Sequence, residues 1–244
     1  MTRWKAFAYH VLGSAIVLLL VFALVRWIWF PGSLFVASRG INLLGIIIPV
    51  DLVLGPLITL IIFNPLKKSL SVLKRDLTLI FLVQIGFLLY GVFMIYSARP
   101  VYMALVDKQF FVVTANEIEP NAQQKAKNPH FQQQPKFGPE LVSIQLPDDK
   151  NLREDLSFAN AAFGVGAQNL PEYYVPYEKR QGLAAASDAD KLQGIAQKDR
   201  LRLQNFAEEQ KKLGVSVSFI HMYAKQGKIF AAIDAKNGAI VEIL

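Results

Sequence analysis

Three apolar runs occupy most of the first hundred residues, and each is long enough to cross a bilayer as a helix. They extend over about residues 6–30, 41–63 and 77–97. A membrane-spanning helix needs about 20 predominantly apolar residues. A surface helix of a soluble protein would show a polar face, and these runs show none. The sequence therefore predicts a three-helix transmembrane domain over residues 1–98.

The first run has the features of an uncleaved signal anchor. A signal peptide has a shorter apolar core, which is followed by a cleavage site with small residues. Here Trp27, Trp29, Phe30 and Pro31 stand at the end of the run instead. We therefore expect the first helix to remain part of the protein.

Basic residues near the runs predict the orientation in the membrane. Those before the first run and between the second and third runs are Arg3, Lys5, Lys67, Lys68, Lys74 and Arg75. The loop after the first run carries only Arg39. Cytoplasmic loops are enriched in Lys and Arg. We therefore expect the N-terminus in the cytoplasm and everything after Ser97 on the outer side.

The distribution of charge argues against nucleic-acid binding. Residues 1–98 hold 8 Lys or Arg and 2 Asp or Glu, whereas residues 99–244 hold 18 and 17, giving +6 and +1 of the net +7. A phosphate-binding surface would place the basic excess on the soluble part. The chain has no cysteine, which excludes disulfides and thiolate metal sites, and no histidine has a second one at metal-ligand spacing. We expect no cofactor and no metal.

Residues 99–244 predict an α+β domain with antiparallel strands. Two apolar runs, 101–106 and 109–114, are separated by Asp107-Lys108 and indicate a hairpin. The Gln-, Asn- and Pro-rich segment near 116–139 predicts a flexible loop, and a further strand is expected at 141–146.

The second half of this domain predicts two helices and three closing strands. One helix is expected over 151–163, and another begins at Ser187, where Asp190 completes a capping-box pattern, and ends at Gly214. The expected strands are 215–222, 228–234 and 239–244, with turns at Gln226-Gly227 and Asn237-Gly238.

Asp51 is the one carboxylate within an apolar run, and Pro49, Gly55 and Pro56 flank it. A charge in hydrocarbon costs a few kcal/mol or more, so it needs a partner or a wet pocket. One interpretation is an ion or proton site, or a contact with another membrane helix. The other is a structural carboxylate paired with Arg26 or bonded to Tyr90 or Gln84, and we favour a structural or helix-contact role.

Tyr173, Tyr174 and Tyr177 lie on the extended segment 170–176 and just after it. Tyrosine is common in recognition surfaces, so the three could form a binding patch. The alternative is that they dock onto the sheet of their own domain.

The chain resembles the TfpX/TfpZ family of type IV pilin accessory proteins. The resemblance is dense over about residues 1–115 and rests on six motifs, MTRWKAF (1–7), WFPG (29–32), VDLVLGPLITL (50–60), FNP (63–65), KRDL (74–77) and YSARPV (96–101). The aspartate of the family's VDLVLGP motif corresponds to Asp51.

The resemblance implies a non-catalytic bacterial inner-membrane protein, with a periplasmic C-terminal domain, that assists type IV pilus assembly. Its expected partner is the cognate major pilin, an apolar helix with a globular head, and other assembly-platform proteins are further candidates. The candidate contacts with the pilin helix are Asp51, Gly55 and Pro56. Those with the pilin head are Tyr173, Tyr174 and Tyr177, or an open sheet edge.

Two other functions are compatible with a membrane domain and an outer domain. An ion-coupled transport component or intramembrane enzyme would use Asp51, but should show more polar groups in the spans than Asp51, Gln84 and Tyr90. A membrane sensor would signal through the loop at residues 67–75, which has no room for an output domain.

Overall fold

The computed structural model describes residues 2–244, and within them three long apolar helices precede a sheet domain. The first helix spans Arg3–Trp29, the second Gly40–Ile62 and the third Leu70–Ser97, and all three are long and apolar enough to cross a membrane. The third begins seven residues earlier than the sequence predicted. Lys74 and Arg75 therefore lie on this helix and not in the connecting loop.

The three helices enclose a small apolar core at the end where the first and third terminate. Leu44 and Ile47 of the second helix pack there with Val25, Trp29 and Ile95. Gly91 allows this approach, because a Cβ at that position would lie 2.6 Å from Ile47 Cδ1. Most other apolar side chains of the helices point outwards, as expected for helices surrounded by lipid.

The connection after the first helix joins the helical bundle to the C-terminal domain. It contains the short helix Leu34–Ala37. Leu34 is buried in the same core as Phe110 and Ile220 of the sheet domain. The carbonyl of Ala37 accepts a hydrogen bond from the main-chain N–H of Gln226 at 2.9 Å. The loop after the first helix and the sheet domain therefore lie at the same end of the bundle.

The C-terminal domain is built on a sheet that has seven strands within the described residues. In spatial order the sheet runs β4-β3-β1-β2-β5-β6-β7. The strands are β1 Pro100–Val106, β2 Gln109–Thr114, β3 Glu140–Ile144, β4 Tyr174–Pro176, β5 Val217–Ala224, β6 Gly227–Asp234 and β7 Ile240–Ile243.

The α+β class with antiparallel pairs is confirmed, and the sheet also contains parallel pairs. The predicted hairpin is β1 with β2, and β5, β6 and β7 form the antiparallel closing strands. β3 pairs with β1 in parallel, and β5 pairs with β2 in parallel. The sheet is therefore mixed, with the N-terminal hairpin at its centre.

Two parts of the domain differ from the sequence prediction. The predicted helix start at Ser187 is wrong, because Ser187 exchanges two hydrogen bonds with Phe219 of β5, and the helix runs over Gln197–Lys212. The other predicted helix is found at Lys150–Phe163. The segment 116–139 contains a short helix, Pro120–Gln124, and its Phe131 is buried in the core with Tyr102 and Tyr174. Its flexibility stays a prediction.

Candidate functional site

Asp51 lies on a wide helical turn midway along the second apolar helix. Residues Val50–Leu54 form a π-helical turn between Pro49 and Pro56. Proline has no N–H to donate to the preceding turn, and single π-turns inside helices often mark functional sites. Asp51 is about 16 Å from either end of the helix, at a rise of about 1.5 Å per residue. The one carboxylate within the three apolar runs of the sequence therefore lies where the helix geometry is interrupted.

The Asp51 side chain is buried without a partner. It is 5% exposed, and its Oδ2 atom makes no hydrogen bond to any of the described residues. A buried carboxylate that lacks a partner is energetically costly, and more so in hydrocarbon. The expected partners Arg26 and Tyr90 do not reach it: Arg26 stands 5.7 Å from the centre of the Phe35 ring, and Tyr90 is exposed.

His10 of the first helix connects the second and third helices close to Asp51. Its Nδ1 is 2.6 Å from Thr59 Oγ1, and its Nε2 is 2.6 Å from Gln84 Oε1. Since an amide oxygen only accepts, Nε2 carries the proton of that bond. The Gln84 amide nitrogen in turn lies 3.5 Å from the main-chain oxygen of Asp51. These four residues are defined here as the polar cluster.

Gly55 allows the third helix to approach the polar cluster. A Cβ at Gly55 would overlap the side-chain amide of Gln84. Gly55 and Pro56 are both buried within the bundle. The structure therefore uses the two residues for contacts between its own helices, and it leaves neither exposed for the partner contact that the sequence suggested.

A groove between the first and third helices opens onto the polar cluster. Its volume is about 160 Å³. Its lining includes the polar side chains of His10, Ser14, Asp51 and Gln84, and Tyr9 and Phe81 stand exposed at its rim. The arrangement can accept a hydrogen bond or a positive charge at Asp51, and the described residues leave that capacity unused.

The three tyrosines expected to form a surface patch are dispersed by the structure. Tyr174 is 2% exposed, and its ring packs 5.0 Å from that of Tyr102 in the core. Its hydroxyl donates to the Gln168 carbonyl, and burial raises its pKa well above the usual value. Tyr174 is therefore a core residue, in agreement with the alternative that the tyrosines dock onto the sheet of their own domain.

Tyr173 and Tyr177 are more accessible. Tyr173 is partly exposed. Its pKa is raised mainly by partial burial and, to a smaller extent, by the negative charge of the neighbouring Glu172. Tyr177 donates to the Gly238 carbonyl at 3.2 Å and packs against Phe110, and its burial also raises its pKa. Only Tyr173 keeps a side chain that is free to meet a partner.

Sequence reasoning missed His10 and Thr59 as members of the polar cluster. They are 49 residues apart in the chain, and His10 and Gln84 are 74 apart, so no local pattern relates them. The available signal was a histidine within an apolar run. No group of three or more potential metal ligands from His, Asp or Glu occurs between residues 2 and 244.

Comparisons with known proteins identify relatives but no matching structure. No family model and no solved structure matches the chain. It is 31% identical over 169 residues to the fimbrial assembly protein, serogroup I, of Dichelobacter nodosus, which is 69% of this chain and 64% of that protein. It is 30% identical over 169 residues to the fimbrial assembly protein, serogroup E1, of the same organism, which is again 69% of this chain and 64% of that protein.

A third relative is covered over most of its length. This is the fimbrial assembly protein, serogroups C1 and C2, of Dichelobacter nodosus, with 34% identity over 109 residues, 45% of this chain and 82% of that protein. The first two relatives extend beyond the match, since the chain covers less than two thirds of their length. At this identity and coverage, the chain belongs to the family of fimbrial assembly proteins.

Proposed function

We propose that the protein is a non-catalytic accessory or chaperone of type IV pilus assembly that binds the cognate major pilin. The observation that carries the proposal is its similarity to three fimbrial assembly proteins, together with three helices able to span a membrane. Such a protein would hold or orient the pilin before it enters the fibre. The TfpX/TfpZ resemblance of the motifs within residues 1–115 is consistent with this role.

The proposed location is the inner membrane, with the N-terminus in the cytoplasm and the C-terminal domain in the periplasm. Arg3, Lys5 and the basic residues between 67 and 75 lie at one end of the helical bundle, and the sheet domain lies at the other. This asymmetry supports the orientation because cytoplasmic loops are rich in Lys and Arg. On this arrangement residues 1–98 form the membrane domain and residues 99–244 the periplasmic domain.

A partner with a membrane helix and an outer head would meet both domains. The polar cluster supports a helix contact, because Asp51 faces an open groove in the bundle. Tyr173 and the short edge strands β4 and β7 are the candidates for the head. Exposed sheet edges accept extended segments through main-chain hydrogen bonds. Other assembly-platform proteins could use the same surfaces.

An ion-coupled transport component is a second candidate function, and one observation favours it. The polar cluster contains His10 and Thr59 in addition to the polar groups considered from the sequence. Proton and ion pathways in membranes are built from such groups. Against it, both His10 nitrogens are engaged with neutral groups. Asp51→Asn separates the two functions: it should abolish coupled transport but weaken helix packing only modestly.

The proposal is tested by deleting the gene in its host while the pilin gene stays intact. Surface pili are then sheared off and quantified, and total pilin is followed on the same blots. The expected result is loss of surface pili with pilin retained in the membrane, restored by the wild-type gene in trans. An unchanged amount of surface pili in the deletion strain would contradict the accessory role.

A further inference from the structure

The groove between the first and third helices has room for one additional side chain. Its volume of about 160 Å³ corresponds to about five water molecules at about 30 Å³ each. Its walls are largely apolar, with Val17, Leu18, Ile85 and Leu88 among them. A whole helix would not fit into it, whereas a single side chain from a helix lying across the opening would.

The floor of the groove needs a hydrogen-bond donor or a cation. Asp51 Oδ2 is buried and lacks a partner among residues 2–244. His10 bonds Thr59 and Gln84, and the Gln84 amide is directed at the main chain of Asp51, so none of these polar neighbours donates to the Asp51 Oδ2 atom. The groove is therefore electrostatically complementary to a donor that comes from outside the bundle.

The position of the groove restricts where that donor can come from. It opens between two helices, near mid-membrane depth, about 16 Å from the ends of the second helix at about 1.5 Å per residue. Lipid tails offer no donor at this depth. A transmembrane helix does, because its side chains can present a hydroxyl, an amide or an ammonium group there while its main-chain groups are satisfied internally.

We propose that the groove receives one side chain of the pilin's membrane helix, and that this side chain ends in a hydrogen-bond donor or cation that pairs with Asp51. The proposal rests on the proposed function, since it takes the pilin as the partner. The pilin helix lies along the opening between Tyr9 and Phe81, and the inserted side chain fixes its depth and rotation relative to the sheet domain.

Site-specific photo-crosslinking of the full-length chain in host membranes tests this contact. The benzophenone amino acid p-benzoylphenylalanine replaces Phe81 at the rim of the groove or, as matched control, Phe87 on the same helix. Both phenylalanines are 59% exposed, and Phe87 does not line the groove. We expect a light-dependent adduct with the pilin from position 81 and none from position 87.

Substitutions of Asp51 identify the chemistry of the contact in the same membranes. Asp51→Leu removes the acceptor at similar size, and polar contacts between membrane helices are worth about 0.6 to 1.7 kcal/mol. We therefore expect the adduct from position 81 to fall by about 3- to 20-fold. Asp51→Asn keeps an acceptor, so retention of the adduct indicates a neutral donor on the pilin, and its loss indicates a cation. Blots for the variants control for their abundance.

Three results would overturn the proposal. Equal yields of the pilin adduct at positions 81 and 87 would mean that the pilin does not bind preferentially at the groove. An adduct at position 81 with a second copy of this chain would show that the groove has another occupant. The absence of any protein adduct at position 81 would show that the groove holds only water. An adduct unaffected by either Asp51 variant would remove the carboxylate from the contact. If gene deletion still abolishes surface pili in these cases, the docking site fails and the accessory role stands.

Discussion

Replacing Gly55 with alanine tests whether close packing at the polar cluster holds the bundle together. Alanine is normally better than glycine within a helix, by up to about 1 kcal/mol. At Gly55, however, the added Cβ would overlap the Gln84 amide. The amide is the end of a flexible side chain and must move, and we expect its bond to His10 to be lost. Gly45 on the same helix has no atom within 4 Å of an added Cβ, and it provides the matched control.

The expected magnitude follows from these competing terms. Overpacking costs about 1–3 kcal/mol, and a polar contact between membrane helices contributes about 0.6 kcal/mol and at most about 1.7. The gain in helix propensity offsets part of this. We expect Gly55→Ala to lower the free energy of unfolding by about 1–3 kcal/mol. Gly45→Ala should be neutral or slightly stabilising.

A double-mutant cycle identifies the steric cause. In a Gln84→Ala background the space beside Gly55 is open, so Gly55→Ala should no longer destabilise. The assay is unfolding of the detergent-solubilised full-length protein by SDS, followed by circular dichroism. Equal effects of the alanine substitutions at Gly55 and Gly45, or a coupling between Gly55 and Gln84 below about 0.5 kcal/mol, would refute the reasoning.

Three further predictions concern the C-terminal domain and its junction. Tyr174→Phe should destabilise the protein by about 1–3 kcal/mol because it leaves the buried Gln168 carbonyl without its donor, whereas Tyr173→Phe should change stability by less than about 0.5 kcal/mol in the same denaturation assay. Burial lowers the pKa of His221 in the folded protein, so the unfolded chain binds its proton more readily. Stability should therefore fall as pH drops below the unfolded pKa of about 6.5, and His221→Gln should reduce this loss between pH 7.5 and 5, with identical curves for both proteins counting against it. Arg99 is buried, donates to the carbonyls of Tyr96 and Pro135, and stacks on the Tyr96 ring. Arg99→Ala should therefore lower the resistance of the protein to proteolysis. Because lysine lacks the planar geometry of arginine, Arg99→Lys should lower it as well. Wild-type resistance of Arg99→Lys would show that a positive charge alone is sufficient at this position.

Local patterns were sufficient to predict most secondary structure. Hydropathy alone located the three apolar helices, because a spanning helix needs a long uninterrupted apolar run. The turn residues Asp107-Lys108 and Asn237-Gly238 marked two connections between neighbouring strands. The helix start at Ser187 failed although its capping pattern was good. The main-chain N–H and C=O of Ser187 form hydrogen bonds with Phe219 of β5, so they are not available to a helical turn.

The parallel pairings could not be predicted from local sequence. β3 joins β1 after β2 and the connection 115–139, and β5 joins β2 only after β3, β4 and four helices. Such pairs carry no turn signature between them, unlike a hairpin. The same limit applied to Tyr174, whose burial depends on Tyr102 and Phe131 from distant segments. Its extended, tyrosine-rich segment was equally compatible with an exposed patch.

The polar cluster shows how far a sequence can go in identifying a membrane site. Asp51 was evident because a carboxylate in an apolar run is rare and costly. His10 and Thr59 were not, because their role depends on the contact between helices. Polar groups that only fasten helices together should satisfy one another, as His10, Thr59 and Gln84 do. Asp51 lies beside them, but its buried Oδ2 atom makes no hydrogen bond to residues 2–244. The residue also lines a groove with room for one more side chain. This difference between neighbours argues that Asp51 serves a contact outside the bundle.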